Sequence, residues 1–213
     1  MKKVIAIAIV FVLLFFTACS TSAQRGLSDE GEISVFEQIY RMLLSVENFR
    51  AIATVEYHAN KGVNVYETIQ HGKITGEYRI EVTAPAHVAG SVTASNGQQI
   101  FQYNNRVNGR VLLEVQETPE RSEVFLTTFI KNYLQSDEIS VNVVDMEQGL
   151  RTVLEAPVPG SHPYMAVARL WIDNETLRPV KLIVFDPDNV ARMVVTYHVI
   201  EFNVTLDAEL FRL

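Results

Sequence analysis

The spacing of apolar residues divides the chain after residue 31 into a helix, a long series of strands and a second helix within that series. Apolar side chains recur at Val35, Ile39, Met42, Leu43 and Val46. This is the spacing of one face of an amphipathic helix. It predicts a helix from about residue 33 or 34 to residue 48 that packs on a sheet.

From residue 50 onward the apolar period changes to two, which is typical of strands with one buried face. The pattern predicts strands at residues 51–58, 63–71, 77–83, 91–94, 98–103, 110–116, 139–145, 150–155, 164–173, 179–185 and 192–202. A second helix is predicted at about residues 122–134, with Ser122 as its N-cap and Phe125 on its apolar face. Asn, Gly and Pro signals predict turns at residues 59–62, 95–97 and 157–160.

The order of these elements indicates the fold class. Strand follows strand without the strand–helix–strand alternation that accompanies parallel sheets, so the fold is expected to be mainly β (α+β). The sheet is expected to be antiparallel and either strongly curved or closed.

The first twenty residues have the layout of a secretory signal. Lys2 and Lys3 precede an apolar run at residues 4–16, and Ala18 precedes Cys19, the only cysteine of the chain. This segment resembles the lipobox of bacterial lipoproteins, although Phe16 stands where that motif usually has Leu. We expect residues 1–18 to be a lipoprotein signal peptide, Cys19 to carry the lipid, residues 19–31 to be a flexible tether and residues 32–213 to be the folded domain. An uncleaved membrane anchor is the alternative.

Charge and cysteine content narrow the function. The chain has a formal net charge of −7, and removal of Lys2 and Lys3 with the signal makes the mature part more negative by two charges. An acidic domain is a poor partner for nucleic acid, whose phosphates require a basic face. With Cys19 lipidated, no thiol remains for a disulfide, a nucleophile or a metal site. The expected location is therefore extracytoplasmic, with the lipid on Cys19 as the attachment to the cell membrane.

The sequence lacks recognisable catalytic motifs, so we expect no enzymatic activity, no metal and no cofactor. The histidines are His58, His71, His87, His162 and His198, and none has the spacing of a zinc site. His58 and His71 either approach each other across the first hairpin or face solvent. The segment Asp186-Pro187-Asp188-Asn189 lacks the Gly and the final Glu of an EF-hand loop, so it is interpreted as a turn.

Several phrases, in this order, resemble those of known carrier proteins. They are residues 78–82 (YRIEV), 96–103 (NGQQIFQY), 170–173 (LWID), 177–181 (LRPVK) and the closing Phe202-Asn203, Asp207 and Leu210-Phe211. Together with the lipobox they resemble the LolA/LolB-like lipoprotein-carrier family, in its branch of GerS-like spore germination lipoproteins. The resemblance implies an open half-barrel of about eleven strands with two helices on its concave side. It also implies a membrane-anchored accessory role in sporulation or germination, acting with a partner such as a cell-wall amidase.

Two functions remain open at this point. In the first, the domain docks a protein partner, or a second copy of itself through edge strands. In the second, the half-barrel cavity accepts a lipid or a lipoprotein. The aromatic side chains expected to line such a cavity, which would otherwise only fill the core, are Phe101, Tyr103, Phe129, Tyr133 and Trp171.

Overall fold

One antiparallel sheet of eleven strands forms the described part of the protein. The computed structural model describes residues 33–114 and 126–212. Its helices are α1 (Val35–Ser45) and α2 (Leu126–Gln135), and a 3₁₀ helix spans Ala208–Phe211. Its strands are β1 (Asn48–Ala59), β2 (Gly62–Lys73), β3 (Tyr78–Ala84), β4 (Val92–Ser95), β5 (Gln99–Asn104), β6 (Gly109–Glu114), β7 (Ser140–Met146), β8 (Gly149–His162), β9 (Met165–Asp173), β10 (Pro179–Phe185) and β11 (Ala191–Phe202).

The sheet consists of two series of hairpins joined at one place. The strand order is β6-β5-β4-β3-β2-β1-β11-β10-β9-β8-β7. Strands β1 to β6 and strands β7 to β11 each pair with their neighbours in the chain, and within the described residues only the β1–β11 pair joins the two series. The sheet does not close, because β6 and β7 lie at opposite edges. The predicted open antiparallel sheet with two helices is confirmed.

Helix α1 has a definite beginning and end. The Ser34 hydroxyl accepts a hydrogen bond from the Glu37 backbone N–H at 3.2 Å, which caps the first turn. After Ser45 the backbone becomes extended at Val46 and leads directly into β1. The helix therefore ends earlier than predicted, because Asn48 already belongs to the sheet.

The end of α1 is tied to the end of the sheet by Asn203. Its side-chain oxygen accepts from the Glu47 N–H at 2.8 Å, and its amide nitrogen donates to the Ser45 carbonyl at 2.9 Å. Asn203 has a left-handed backbone with φ of 54°, a conformation that Asn adopts more readily than most residues.

The core lies between the two helices and one face of the sheet, which we call the inner face. On β1 this face carries Ala51, Ala53 and Val55, and the intervening residues are on the outer face. Helix α1 contributes Ile39 and Leu43 to the same core. Further buried members are Leu126, Phe129, Ile130 and Tyr133 of α2, Leu154, Ala156 and Val158 of β8, Leu170 and Ile172 of β9, Leu182 and Val184 of β10, and Val195 and Tyr197 of β11.

The predicted turn at residues 157–160 is wrong. Strand β8 continues to His162, and Val158 is buried in the core. The pairing with β9 shifts register between Pro157 and His162. Prolines are tolerated at such an irregularity because they cannot donate to a regular ladder. The predicted cap Ser122 and the predicted helix residue Phe125 lie outside the described residues.

We expect Gly72→Ala to destabilise the domain because of one close approach in the core. Gly72 lies opposite Phe49 in the β1–β2 ladder. A Cβ at residue 72 would lie 2.6 Å from Phe49 Cε1 and 3.1 Å from Thr127 Oγ1. Overpacking of this kind costs about 1–3 kcal/mol, measurable as a lower urea midpoint.

A double-mutant cycle separates this clash from a general effect of the substitution. Phe49→Leu removes the ring atom that the new methyl group meets, so Gly72→Ala should cost less in that background. An equal loss of unfolding free energy in both backgrounds would contradict the packing explanation.

Candidate functional site

A cavity of about 630 Å³ lies against the half of the sheet formed by β1 to β6. Every residue that lines it is uncharged, and the apolar side chains include Val55, Tyr57, Tyr66, Ile80 and Val82. The rings of Tyr57 and Tyr66 meet edge to face with centroids 6.0 Å apart. An apolar lining with a few hydroxyl and amide groups is typical of sites for small amphipathic ligands.

Two residues at the β6 end of the cavity lining are strongly exposed. Val107 and Val111 both line it, and their side chains are more than half exposed. Both residues come from the edge of the sheet.

Buried polar groups lie behind Thr68 in the wall of the cavity. The Thr68 hydroxyl donates to the Ala53 carbonyl at 2.9 Å and accepts from Gln70 Nε2 at 3.1 Å. Gln70 is fully buried, and its Oε1 has no hydrogen-bond partner among the described residues. The Tyr197 hydroxyl is in the same situation, and burial raises the pKa of Tyr197 far above its ordinary value. Tyr197 is therefore a neutral phenol at physiological pH.

The structure brings only one of the five predicted aromatic residues to this cavity. Tyr103 lines it, whereas Phe101, Phe129, Tyr133 and Trp171 do not. Phe129 and Tyr133 stack on each other in α2 and are buried in the core.

The strand register explains the positions of Phe101 and Trp171. Trp171 is half-buried and alternates with Leu170 and Ile172, whose side chains are fully buried in the core, so it lies on the outer face. Phe101 pairs with Ala94, which pairs with the outer-face residue Arg79.

The sequence did contain a signal for the residues that replace them. Ile80 and Val82 belong to the alternating phrase YRIEV, in which every second residue points to the same face. Phe101 and Trp171 were expected to line the cavity because their side chains are large and aromatic. In β3 and β9 strand parity was the better indicator of which side chains reach the inner face, whereas Tyr103 lines the cavity although it has the same parity in β5 as Phe101.

A second surface of interest is the edge strand β7. Its apolar side chains project from both faces, and Val143 is 63% exposed. Its sequence is SVNVVDM, without the Lys or Pro that commonly protects an edge strand. The exposed apolar residues at this edge are Ile139, Val141, Val143, Val144, Met146 and, on β8, Leu150.

The histidines do not form a site in the described part of the chain. His58 lies opposite Val63 and His71 opposite Arg50, so the two histidines are at opposite ends of the first hairpin. The interpretation that they approach each other is wrong. Burial, and then the charges of Arg50 and Arg79, lower the pKa of His71 below its ordinary value. Across residues 33–114 and 126–212, no three His, Cys, Asp or Glu side chains are grouped to hold a metal ion.

In the acidic turn of residues 186–189, the Asp186 carboxylate is already hydrogen-bonded within the protein. The Asp186 carboxylate accepts from the N–H groups of Asp188 and Val190 and from Arg192. These bonds lower the pKa of Asp186, with the Val190 N–H as the largest cause. The interpretation of this segment as a turn is consistent with that geometry.

The sequence as a whole matches one protein family. The family model described as sporulation protein YdcC-like matches residues 1–211. The chain belongs to this family. Proteins of the LolA superfamily are among the solved structures that this chain resembles. No curated protein sequence matches this YdcC-like chain.

Solved structures resemble the YdcC-like chain over most of its length. An uncharacterized conserved protein from Thermus thermophilus is 15% identical, with a TM-score of 0.52 over 84% of this chain and 91% of that chain. A complex of the CwlD amidase with the GerS lipoprotein from Clostridioides difficile contains a chain that is 29% identical, with a TM-score of 0.49 over 84% and 99%. The LolA superfamily protein NE2245 from Nitrosomonas europaea is 14% identical, with a TM-score of 0.45 over 84% and 96%.

Among the described residues of this YdcC-like protein, neither helix has the length and apolar character needed to cross a bilayer.

We expect Thr68→Val to destabilise the protein through the polar groups behind the cavity. The substitution keeps the shape of the side chain but leaves the buried Gln70 amide without the hydroxyl it now donates to. An unsatisfied buried polar group costs about 1–3 kcal/mol, which urea unfolding would show.

Thr54→Val is the matched control for this prediction. Thr54 lies on the outer face and bonds to the exposed side chains of Glu67 and His198, so its loss should cost less than about 1 kcal/mol. Equal losses for the two variants would show that the Thr68–Gln70 contact has no special role.

Proposed function

We propose that this protein is a membrane-anchored, non-catalytic lipoprotein whose domain binds a protein partner in the cell envelope during sporulation. Membership of the YdcC-like family supports the sporulation role. The observation that carries the binding role is the exposed apolar edge strand β7. The anchor is the lipid proposed on Cys19, with residues 1–18 as the cleaved signal.

Strand β7 can accept a further strand because it lies at the edge of the sheet. One side of its backbone pairs with β8 along seven residues, from Ser140 opposite Glu155 to Met146 opposite Gly149. The other side is the edge of the sheet. A partner strand could form main-chain hydrogen bonds there and cover the valines on both faces. Burial of apolar surface stabilises such a contact by about 25 cal/mol per Å².

The buried charged groups support a non-catalytic role. Arg151 is paired with Asp173 at 2.9 Å, and its side chain also donates to the carbonyls of Gln148 and Leu150. Asp186 is satisfied by its own turn and by Arg192. These buried ions are engaged in holding hairpins together, so neither is available to act on a substrate.

The partner that we propose is a cell-wall amidase, which the resemblance to the GerS-like branch implies. A second copy of this chain is the other occupant that the same edge would accept. Both forms use the backbone of β7, so both are expected to respond to charge placed on it.

We expect Val141→Lys with Val143→Lys to weaken amidase binding at least tenfold. Charged side chains on an edge strand oppose the addition of another strand. The measurement is sedimentation velocity of the purified protein with the purified cell-wall amidase of the same host. The control is Val65→Lys, because Val65 is about equally exposed but lies on β2 in the interior of the sheet.

The outcomes separate the site from the partner. Binding that survives the β7 substitutions would show that another surface docks the amidase. Absence of binding by the unsubstituted protein would show that the partner class is wrong.

A second candidate function is a lipid- or lipoprotein-binding acceptor, and the uncharged 630 Å³ cavity favours it. Transfer of an acyl chain from water to such a lining gains about 0.8 kcal/mol per methylene. The anchor on Cys19 would make this protein an acceptor that stays at its membrane, since a tethered domain cannot travel as a soluble carrier does.

We expect Ile80→Trp to reduce binding of an acyl ligand at least tenfold if this candidate is right. The larger side chain would occupy the cavity between Val55 and Val82, which line it with Ile80. The measurement is fluorescence titration with cis-parinaric acid, and Val65→Lys again serves as the control. Failure of the unsubstituted protein to bind the probe would exclude this candidate.

A further inference from the structure

Helix α1 has two apolar faces, and the core uses only one of them. Successive residues of an α-helix are about 100° apart around its axis. Val35, Ile39, Met42 and Leu43 fall within about 100° of one another, and on this side of the helix Ile39 and Leu43 are buried in the core. Phe36, Tyr40 and Leu44 form a second row, one helical turn apart, within the next 80° or so. We call this second row the outer row.

The outer row is exposed along the whole helix. The exposed fractions are 44% for Phe36, 41% for Tyr40 and 58% for Leu44. The rings of Phe36 and Tyr40 contact each other, with centroids 6.4 Å apart. An apolar row of this kind on a helix whose neighbouring face is already packed indicates a second contact surface.

The border of the outer row carries no net charge. Glu37 and Arg41 follow its members by one position each and are paired with each other at 2.6 Å. A neutral border matters because an unpaired acidic side chain would repel an anionic membrane, whose surface potential is negative.

The position of α1 in the chain identifies what covers the outer row. Residues 20–32 lie between Cys19 and the first described residue. Thirteen residues reach at most about 45 Å even when fully extended. With lipid on Cys19, this limit keeps α1, the first helix of the described residues, near the membrane surface.

We propose that the outer row of α1 lies in the interface of the membrane and fixes the orientation of the domain on it. Aromatic residues with aliphatic neighbours are the side chains that favour the level of the lipid headgroups. The helix lies along the surface, with its other face still packed on the sheet. This inference rests on the lipid anchor of the proposed function. The test therefore measures membrane attachment and the orientation of α1 separately.

The test uses the full-length protein, purified from membranes with its anchor and reconstituted into vesicles of phosphatidylcholine and phosphatidylglycerol. Trp171 is the only tryptophan, so Trp171→Phe gives a background without tryptophan fluorescence. In that background Tyr40→Trp places a reporter in the outer row. Gln38→Trp places the same reporter on the polar side of the same helix, about 160° away. Phosphatidylcholine with brominated acyl chains quenches a tryptophan that reaches the interface.

We expect brominated lipid to quench about half or more of the fluorescence of Tyr40→Trp and to leave Gln38→Trp nearly unchanged, as expected of one interfacial face. Equal quenching of the two reporters, or quenching of neither in vesicle-bound protein, would overturn the inference. The second result would mean that a protein partner or a second copy covers the outer row.

Flotation of the vesicles tests whether the lipid on Cys19 attaches the protein to the membrane. Co-flotation that Cys19→Ser abolishes supports the lipid on Cys19. Equal flotation of the Cys19→Ser protein would contradict the proposed anchor, while the contrast between the two reporters would still decide the orientation of α1. Protein that does not float at all would overturn both.

Discussion

The pairing of β1 with β11 is the contact on which the rest of the structure depends. Every other strand pair in the described part of the chain joins neighbours in the sequence and can form as a local hairpin. Phe49 and Phe202, which face each other across this pair, are about 150 residues apart, so the loop closed here is long and its entropic cost is correspondingly high. That cost is offset because the pair brings Ala51, Ala53 and Val55 against Val195 and Tyr197 in the middle of the core. Without it the two series of hairpins would be separate open sheets.

The two halves of the sheet use their inner faces differently. The half formed by β8 to β11 supplies most of the buried apolar side chains, and α2 packs on β8. The half formed by β2 to β6 supplies fewer, and the cavity lies there. The packed core and the cavity therefore lie on different halves of the same sheet. A substitution that fills the cavity need not disturb the helix-covered core, and this independence lets binding and stability be examined separately.

Much of the fold could be predicted from the sequence because the local patterns are strong. Strand β10 was predicted with its observed bounds, and the hairpin turn before Gly62 was also predicted correctly. The turn predicted at residues 157–160 was wrong because Pro and Gly normally mark turns. Here they mark an irregularity inside β8. The cavity was harder to predict, because which face a side chain occupies depends on register across several strands. Trp171 shows the limit: its size suggested a buried role, but its parity in β9 places it on the outer face. The outer row of α1 was visible in the spacing of Phe36, Tyr40 and Leu44, yet its exposure depends on which face the sheet covers.

The central position of β1 and β11 also determines the reach of the domain. Helix α1 leads into β1, and the 3₁₀ helix follows β11, so both ends of the fold leave from the middle of the strand order. Strand β7 lies four strands away from β11, which is about 20 Å at the usual spacing of strands. A molecule bound at β7 would therefore lie well to one side of β1 and β11, where the chain enters and leaves the sheet. Even a bulky companion at that edge need not cover the two central strands at which the fold begins and ends.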